Sequence, residues 1–99
     1  MRDYIYILNL TPKFQDQNNW TEKENEILGK HDQRLSRQKE RGVVKYVGKT
    51  DLPIENDKNF GLVVFQAEND TMAELFMQSD PAIMGKMMTG ACHPFKQVY

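Results

Sequence analysis

The alternation of hydrophobic and polar residues predicts four β-strands along the chain. They lie at residues 4–10, 43–48, 60–67 and somewhere within 88–98. The first and third are apolar on both faces, which is typical of strands in the middle of a sheet. The second contains Lys45 and is more typical of an edge strand. The fourth contains Pro94, which a sheet accommodates only near an edge or a bulge.

Two amphipathic helices are predicted between these strands. The first begins after Thr21, which forms a capping-box pattern with Glu24, and it ends at Gly42. Its apolar face carries Ile27, Leu28, His31 and Leu35. Its last turns carry the basic residues Arg34, Arg37, Lys39 and Arg41. These suit the helix macrodipole and are interpreted as a solvated helix end. The second helix runs through Phe76 to about Ser79, and its available caps are Asn69, Asp70 and Thr71.

The resulting order is βαββαβ, which is the ferredoxin-like arrangement of the α+β class. It places strands one and three in the middle of a four-stranded antiparallel sheet, and these are the two strands that are apolar on both faces. Because both helices cover the same face, the other face exposes apolar side chains to water. Soluble monomers rarely expose a large apolar patch, so we expect a partner to cover it.

Composition limits the classes of protein to consider. The 99 residues are predicted to form a single domain, 1–99, with 13 basic and 14 acidic side chains and a net charge of −1. This balance does not favour nucleic acid or a membrane surface as a partner. Cys92 is the one cysteine, which excludes an internal disulfide and fits a reducing compartment. The sequence contains neither a signal-peptide pattern nor an apolar stretch of membrane-spanning length, so we expect a cytoplasmic protein.

An RNA-binding surface is one hypothesis for the open sheet face. Residues 5–10 fit the strand-one motif of RNA-recognition domains, and residues 58–65 partly fit their strand-three motif. Tyr6 and Phe60 would then stack on bases. However, Leu62 stands where a further base-stacking aromatic residue belongs, and the chain is not basic. RNA binding is therefore only a third alternative, after a small-molecule enzyme and a ligand-binding module, and no nucleic-acid partner is expected.

Two segments resemble the YCII-related, or YciI-like, family. The segment KHDQRLSRQKERGVVKYVGKT (30–50) has that family's helix histidine, a leucine four residues later, and glycines before and after a strand. The segment FGLVVFQAENDTMAELFMQSDPAIMGKMMTGACHPF (60–95) is similar to its second half, including the Asp80-Pro81 dipeptide. The resemblance implies a homodimeric ferredoxin-like α/β barrel with a His–Asp pair in a cleft. It also implies enzyme activity on a small molecule.

His31 and Asp80 are the predicted catalytic residues. Asp80 interrupts the apolar stripe of the second helix, four residues after Phe76, and His31 lies on the apolar face of the first helix. Each has a structural alternative: His31 as a half-buried structural histidine, Asp80 as the cap of a turn at 81–84 that begins with Pro81. Capping is compatible with a second role, in which Asp80 orients the His31 imidazole and stabilises its charged form.

The working hypothesis is proton transfer on a small organic molecule, with His31 as general acid/base. A lyase, an isomerase or a hydrolase-type elimination would fit. No dinucleotide or flavin motif is present, so no organic cofactor is expected. The alternative from another class is a non-catalytic ligand-binding or interaction module on the same dimeric fold.

Other chemistry-bearing side chains are less promising. Cys92 and His93 are neighbours on a strand and point to opposite faces, so they cannot form a nucleophile–base pair with each other. A metal site built from His31, Asp80 and His93 lacks ligand spacing, and no metal is expected. Tyr4 and Tyr6 lie on the sheet side away from Ile5 and Ile7. Their hydroxyls could bind a ligand, but strand packing explains them equally well.

Overall fold

The strands and helices of the computed structural model, which describes residues 1–99, follow the predicted order. They are β1 (Arg2–Leu10), α1 (Glu22–Glu40), β2 (Val44–Lys49), β3 (Gly61–Ala67), α2 (Asp70–Gln78), α3 (Pro81–Met84) and β4 (Met88–Pro94). Two short 3-10 turns, Pro12–Gln15 and Gln17–Asn19, lie between β1 and α1. The four strands form one antiparallel sheet in the order β2-β3-β1-β4. The fold is therefore ferredoxin-like, as the pattern predicts.

β1 occupies the middle of the sheet, between β3 and β4. Its alternate residues Tyr4, Tyr6 and Leu8 are buried in the hydrophobic core. Tyr6 lies opposite Val63 on β3 and Cys92 on β4, so all three side chains project toward the same face. The prediction that strands one and three are central is confirmed. The last strand ends at Pro94, which fits the requirement that proline stay at a strand end or bulge.

The ends of α1 follow the predicted capping pattern. The Thr21 hydroxyl accepts a hydrogen bond from the Lys23 backbone N–H, and the Glu24 carboxylate accepts one from the Thr21 backbone N–H. Gly42 has φ +80° directly after the helix, a conformation that glycine adopts without a steric penalty. Local sequence rules therefore fix where α1 begins and ends.

Aromatic rings fill the space between the sheet and α2. Phe65 of β3 stacks on Phe76 of α2 with ring centroids 4.6 Å apart, and Tyr6 meets Phe65 edge-on at 5.5 Å. Both arrangements are favourable for aromatic pairs. The ring packing fixes α2 over the middle of the sheet and brings the end of this helix close to β1.

The sheet face away from the helices is apolar and uncovered within the chain. Ile5 lies opposite Val64, and Ile7 lies opposite Leu62, and these four side chains are half-buried. Tyr46 of the edge strand, opposite Val64, is 61% exposed. We call Ile5, Ile7, Leu62 and Val64 the open face. None of the helices has the length and hydrophobicity that crossing a membrane requires.

Candidate acid–base site

Asp80 lies between two helices, at the point where the chain changes direction. It has extended backbone angles, φ −66° and ψ 127°, because Pro81 disfavours helical geometry in the residue before it. Its Oδ1 accepts a hydrogen bond from the Ala82 backbone N–H at 2.9 Å, and Pro81 occupies the first position of α3. The predicted capping role of Asp80 is therefore confirmed.

The same carboxylate contacts two further elements. Asp80 Oδ1 lies 2.6 Å from His31 Nδ1, and the Tyr6 hydroxyl donates to Asp80 Oδ2 at 2.7 Å. Asp80 is fully buried, and His31 is 8% exposed. The structure thus brings together the two residues that the sequence selects, and it adds Tyr6 as a third.

Tyr6 has a different place from the one that RNA binding requires. Its side chain is fully buried on the helix side of the sheet, so it cannot stack on a base at the open face. That part of the RNA hypothesis is wrong. The alternation along β1 puts Tyr6 on the side away from Ile5 and Ile7, and a buried hydroxyl needs a partner. Sequence alone does not reveal that the partner is Asp80.

Opposing effects set the protonation of Asp80. Burial raises the pKa of the carboxyl group, but hydrogen bonds from His31 and Tyr6, the charge of His31 and the Ala82 N–H outweigh it. The net pKa of Asp80 lies below its usual value, so the carboxylate is ionised at neutral pH. Burial, followed by the charge of Asp80, strongly raises the pKa of Tyr6. Tyr6 therefore stays protonated and remains a hydrogen-bond donor.

The ionised carboxylate determines which nitrogen of His31 carries a proton. A carboxylate only accepts hydrogen bonds, so Nδ1 must be the donor in the 2.6 Å contact with Asp80. In neutral His31 the lone pair is then on Nε2. His31 Nε2 has no hydrogen-bond partner in the chain. It is not buried, however, because Arg34 Nη1 is the one side-chain polar atom that is both buried and unpartnered. His31 Nε2 consequently remains in contact with solvent, where it can accept and return a proton.

Arg34 does not belong to a solvated helix end, and that interpretation of the basic run is wrong at this position. Its guanidinium lies over the Phe76 ring, 4.2 Å from the centroid, and Nη2 donates to the Phe76 carbonyl at 2.7 Å. Its Nη1 lies 4.0 Å from Asp80 Oδ2. Helix periodicity puts Arg34 three residues after His31 and therefore near the same face, which is the signal that could have suggested this contact.

The remaining candidates lie apart from this site. His93 is exposed and pairs with Ile5, whereas Cys92 pairs with Tyr6 and packs against the core. His93 therefore projects to the other sheet face and does not join His31 and Asp80 in a metal site. Burial raises the pKa of the Cys92 thiol to about 11, with smaller contributions from the Glu74 and Asp70 carboxylates. This keeps the thiol protonated at neutral pH and unsuited to nucleophilic attack.

Tyr4 repeats the pattern of Tyr6 with a weaker partner. Its hydroxyl donates to Asp70 Oδ1 at 2.7 Å, at the start of α2, and the Asp70 side chain is 75% exposed. Hydrogen bonding to Asp70 and burial raise the pKa of Tyr4. Tyr4 therefore connects β1 to α2 and lies outside the group formed by Asp80.

Comparisons with known proteins do not indicate a function, so the contacts of Asp80 are the basis for a functional conclusion. No protein-family model matches the sequence, and no curated protein matches it at a significant level.

Proposed function

We propose that the protein is a YciI-like enzyme in which His31 Nε2 acts as general acid and base. The observation that carries the proposal is the 2.6 Å contact between His31 Nδ1 and the fully buried Asp80 carboxylate. A carboxylate in this position holds the imidazole in one tautomer and stabilises the imidazolium that forms when Nε2 takes up a proton. Asp80 is accordingly the orienting and charge-stabilising partner, and His31 is the residue that meets the substrate.

The reaction class is proton transfer on a small organic molecule. Nε2 removes a proton from the substrate, the imidazolium stays hydrogen-bonded to Asp80 through Nδ1, and the same nitrogen returns the proton to product or leaving group. An isomerase, a lyase or a hydrolase-type elimination shares these steps. The chemistry described uses the side chains alone and no organic cofactor.

The assembly that we propose is a homodimer that functions in the cytoplasm. Packing two copies through their open faces would remove Ile5, Ile7, Leu62 and Val64 from water and give a dimeric α/β barrel with an isologous interface. The net charge of −1 produces little repulsion between copies. The single cysteine, half-buried and without a disulfide partner, suits a reducing compartment.

Deuterium exchange tests the acid–base role while the substrate is still unidentified. A panel of small carbonyl acids, lactones and enol ethers is incubated with the protein in D₂O, and wash-in at acidic C–H positions is followed by proton NMR. We expect His31→Gln to lower the exchange rate by roughly a hundredfold or more, the usual contribution of a general base. His93→Gln is the matched control, because His93 is exposed on the opposite sheet face.

Two results would contradict the enzyme proposal. One is exchange at equal rates in the wild type and His31→Gln. The other is binding of panel members, seen as shifts of the His31 ring signals, with no exchange or product from any of them. That second result favours the ligand-binding module on the same fold.

A further inference from the structure

Arg34 is held in one orientation by α2. The Phe76 carbonyl belongs to the last turn of that helix, where carbonyls lack an intrahelical donor, and the neighbouring Leu75 and Met77 carbonyls accept bonds from the Ser79 and Asp80 N–H groups. Arg34 Nη2 supplies the donor for Phe76, while the guanidinium plane lies over the Phe76 ring. The position of the cation is therefore set by packing as well as by charge.

The other end of the guanidinium faces Asp80. Nη1 is buried and makes no hydrogen bond, and it lies 4.0 Å from Asp80 Oδ2. That oxygen already accepts the Tyr6 hydroxyl. Arg34 thus acts on the carboxylate through its charge rather than through a hydrogen bond, in a place where little water screens the attraction.

We propose that Arg34 is a positioning residue whose fixed positive charge keeps Asp80 ionised, so that any proton gained or lost by the pair resides on His31. The catalytic meaning of this inference rests on the proposed function. The protonation of Asp80 itself can be measured without a substrate, so the two proposals fail separately.

The need for such a charge follows from burial. A carboxyl group without water favours its neutral form, and during a catalytic cycle the imidazole is neutral part of the time. If Asp80 took up the next proton, it would donate to Nδ1, and the neutral imidazole would carry its own proton on Nε2. His31 could not then act as a base.

Arg34 is the one permanently charged group among the contacts of Asp80. Tyr6 on β1 is a neutral donor, Ala82 on α3 contributes a backbone N–H, and His31 on α1 changes its charge during proton transfer. Arginine cannot lose its proton in the accessible pH range. Arg34 therefore supplies a positive charge that does not change when His31 gains or loses a proton.

The test measures Asp80 directly in a protein without the imidazole. Asp80 is labelled with ¹³C at its carboxyl carbon, and its pKa is read from the carbon shift in His31→Gln, alone and combined with Arg34→Met. Methionine keeps an apolar stem over Phe76 and removes the charge. We expect the combined variant to raise the Asp80 pKa by about one to three units, the range for a carboxylate beside an arginine.

Arg37→Met in the same background is the control, because Arg37 lies on the same helix outside the group formed by Asp80 and its loss changes the net charge equally. We expect it to leave the Asp80 pKa near that of His31→Gln alone. Arg34→Lys should restore most of the low pKa, because it keeps a cation. Equal Asp80 pKa values in the Arg34→Met and Arg37→Met proteins would overturn the proposal.

A second measurement serves if the double variant does not fold. In otherwise wild-type protein, the ¹⁵N shifts of His31 at mildly acidic pH distinguish an imidazolium, protonated on both nitrogens, from a neutral ring that accepts at Nδ1. We expect a larger population of the neutral ring in Arg34→Met than in wild type. Equal populations of the imidazolium in wild type and Arg34→Met would contradict the inference, whatever activity is found.

Discussion

At the scale of single residues, Asp80 matters because its two oxygens accept three hydrogen bonds. Oδ1 receives the Ala82 N–H and faces His31 Nδ1, and Oδ2 receives the Tyr6 hydroxyl. Each donor comes from a different element of the fold. Removing any one of them leaves part of a buried charge without a partner, which is more costly than losing an exposed contact.

Tyr6 and Tyr4 provide a matched comparison of this effect. Both are buried tyrosines of β1 whose hydroxyl donates to an aspartate at 2.7 Å, but Asp80 is buried and Asp70 is exposed. We expect Tyr6→Phe to lower the free energy of unfolding by about 2 kcal/mol, because an ionised acceptor is left short of a donor. Tyr4→Phe should lower it by less than about 1 kcal/mol, since water can replace the donor at Asp70. Urea unfolding measures the free energy of unfolding of both variants. Equal losses in Tyr6→Phe and Tyr4→Phe would show that the burial of Asp80 does not strengthen the effect of losing the donor.

The pKa of Asp80 also predicts how stability depends on acid. Its hydrogen bonds hold the folded-state pKa below the usual value despite burial. Since the carboxyl pKa is lower in the folded state, its contribution to stability is complete above the unfolded value of about 3.9 and is lost as pH falls through the folded one. The difference in unfolding free energy between wild type and Asp80→Asn should therefore shrink as the pH falls below about pH 4 and the carboxylate becomes protonated. A difference that stays constant into acid would show that the Asp80 charge does not stabilise the fold.

At the scale of elements, α3 depends on the same side chain as the site. It has only four residues, Pro81–Met84, and its first turn is capped by Asp80. α2 has an ordinary cap, in which Asn69 accepts the Met72 N–H at 2.8 Å at an exposed position. The Asp80 side chain also contacts His31 and Tyr6, whereas the Asn69 cap lies at an exposed position.

Substitution of the two caps separates capping from the buried network. We expect Asn69→Ala to cost about 1 kcal/mol, the usual value for losing a cap. Asp80→Asn keeps a good cap residue but leaves Arg34 without its nearby anion, and we expect it to cost about 3 kcal/mol, as for breaking a buried charge pair. Thermal and urea unfolding of both variants check this. If Asp80→Asn proves no more destabilising than Asn69→Ala, the carboxylate serves mainly as a cap.

The elements differ in how far sequence could predict them. Thr21, Glu24 and Gly42 mark the ends of α1 through local rules, and the pattern of β1 predicts a central strand. Two polar residues on apolar faces, together with the family resemblance, predict that His31 meets Asp80. The roles of Tyr6 and Arg34 could not be predicted in the same way. They depend on where α2 ends over the sheet, which tertiary contacts such as the packing of Phe65 on Phe76 determine.

At the scale of the whole molecule, the open face is a surface without a partner in the chain. Ile5, Ile7, Leu62 and Val64 lie on it, while every helix packs on the other side. The confirmed order of strands leads to this asymmetry, because the two β-α-β connections are both right-handed crossovers and place their helices on the same face of the sheet. The proposed homodimer follows from this asymmetry.

Light scattering tests the assembly. We expect the wild type to have twice the 11.6 kDa chain mass at micromolar concentration, and we expect Val64→Lys to give a monomer because it buries a charge in the interface. Leu75→Lys is the control, since Leu75 is 56% exposed on α2, away from the open face. A wild-type mass of one chain at all concentrations, or dissociation by Leu75→Lys alone, would contradict a dimer formed through the open face.

The contacts of Asp80 also have a consequence for the order of events in folding. Its partners His31 and Tyr6 are 49 and 74 positions away in the chain, so both contacts close long loops. Closing such loops is slow, and local contacts in α1 can form earlier. We therefore expect the carboxylate to reach its partners after α1 has formed. A substitution at Asp80 should accelerate unfolding while leaving the folding rate nearly unchanged, because interactions absent from the transition state act mainly on the unfolding barrier.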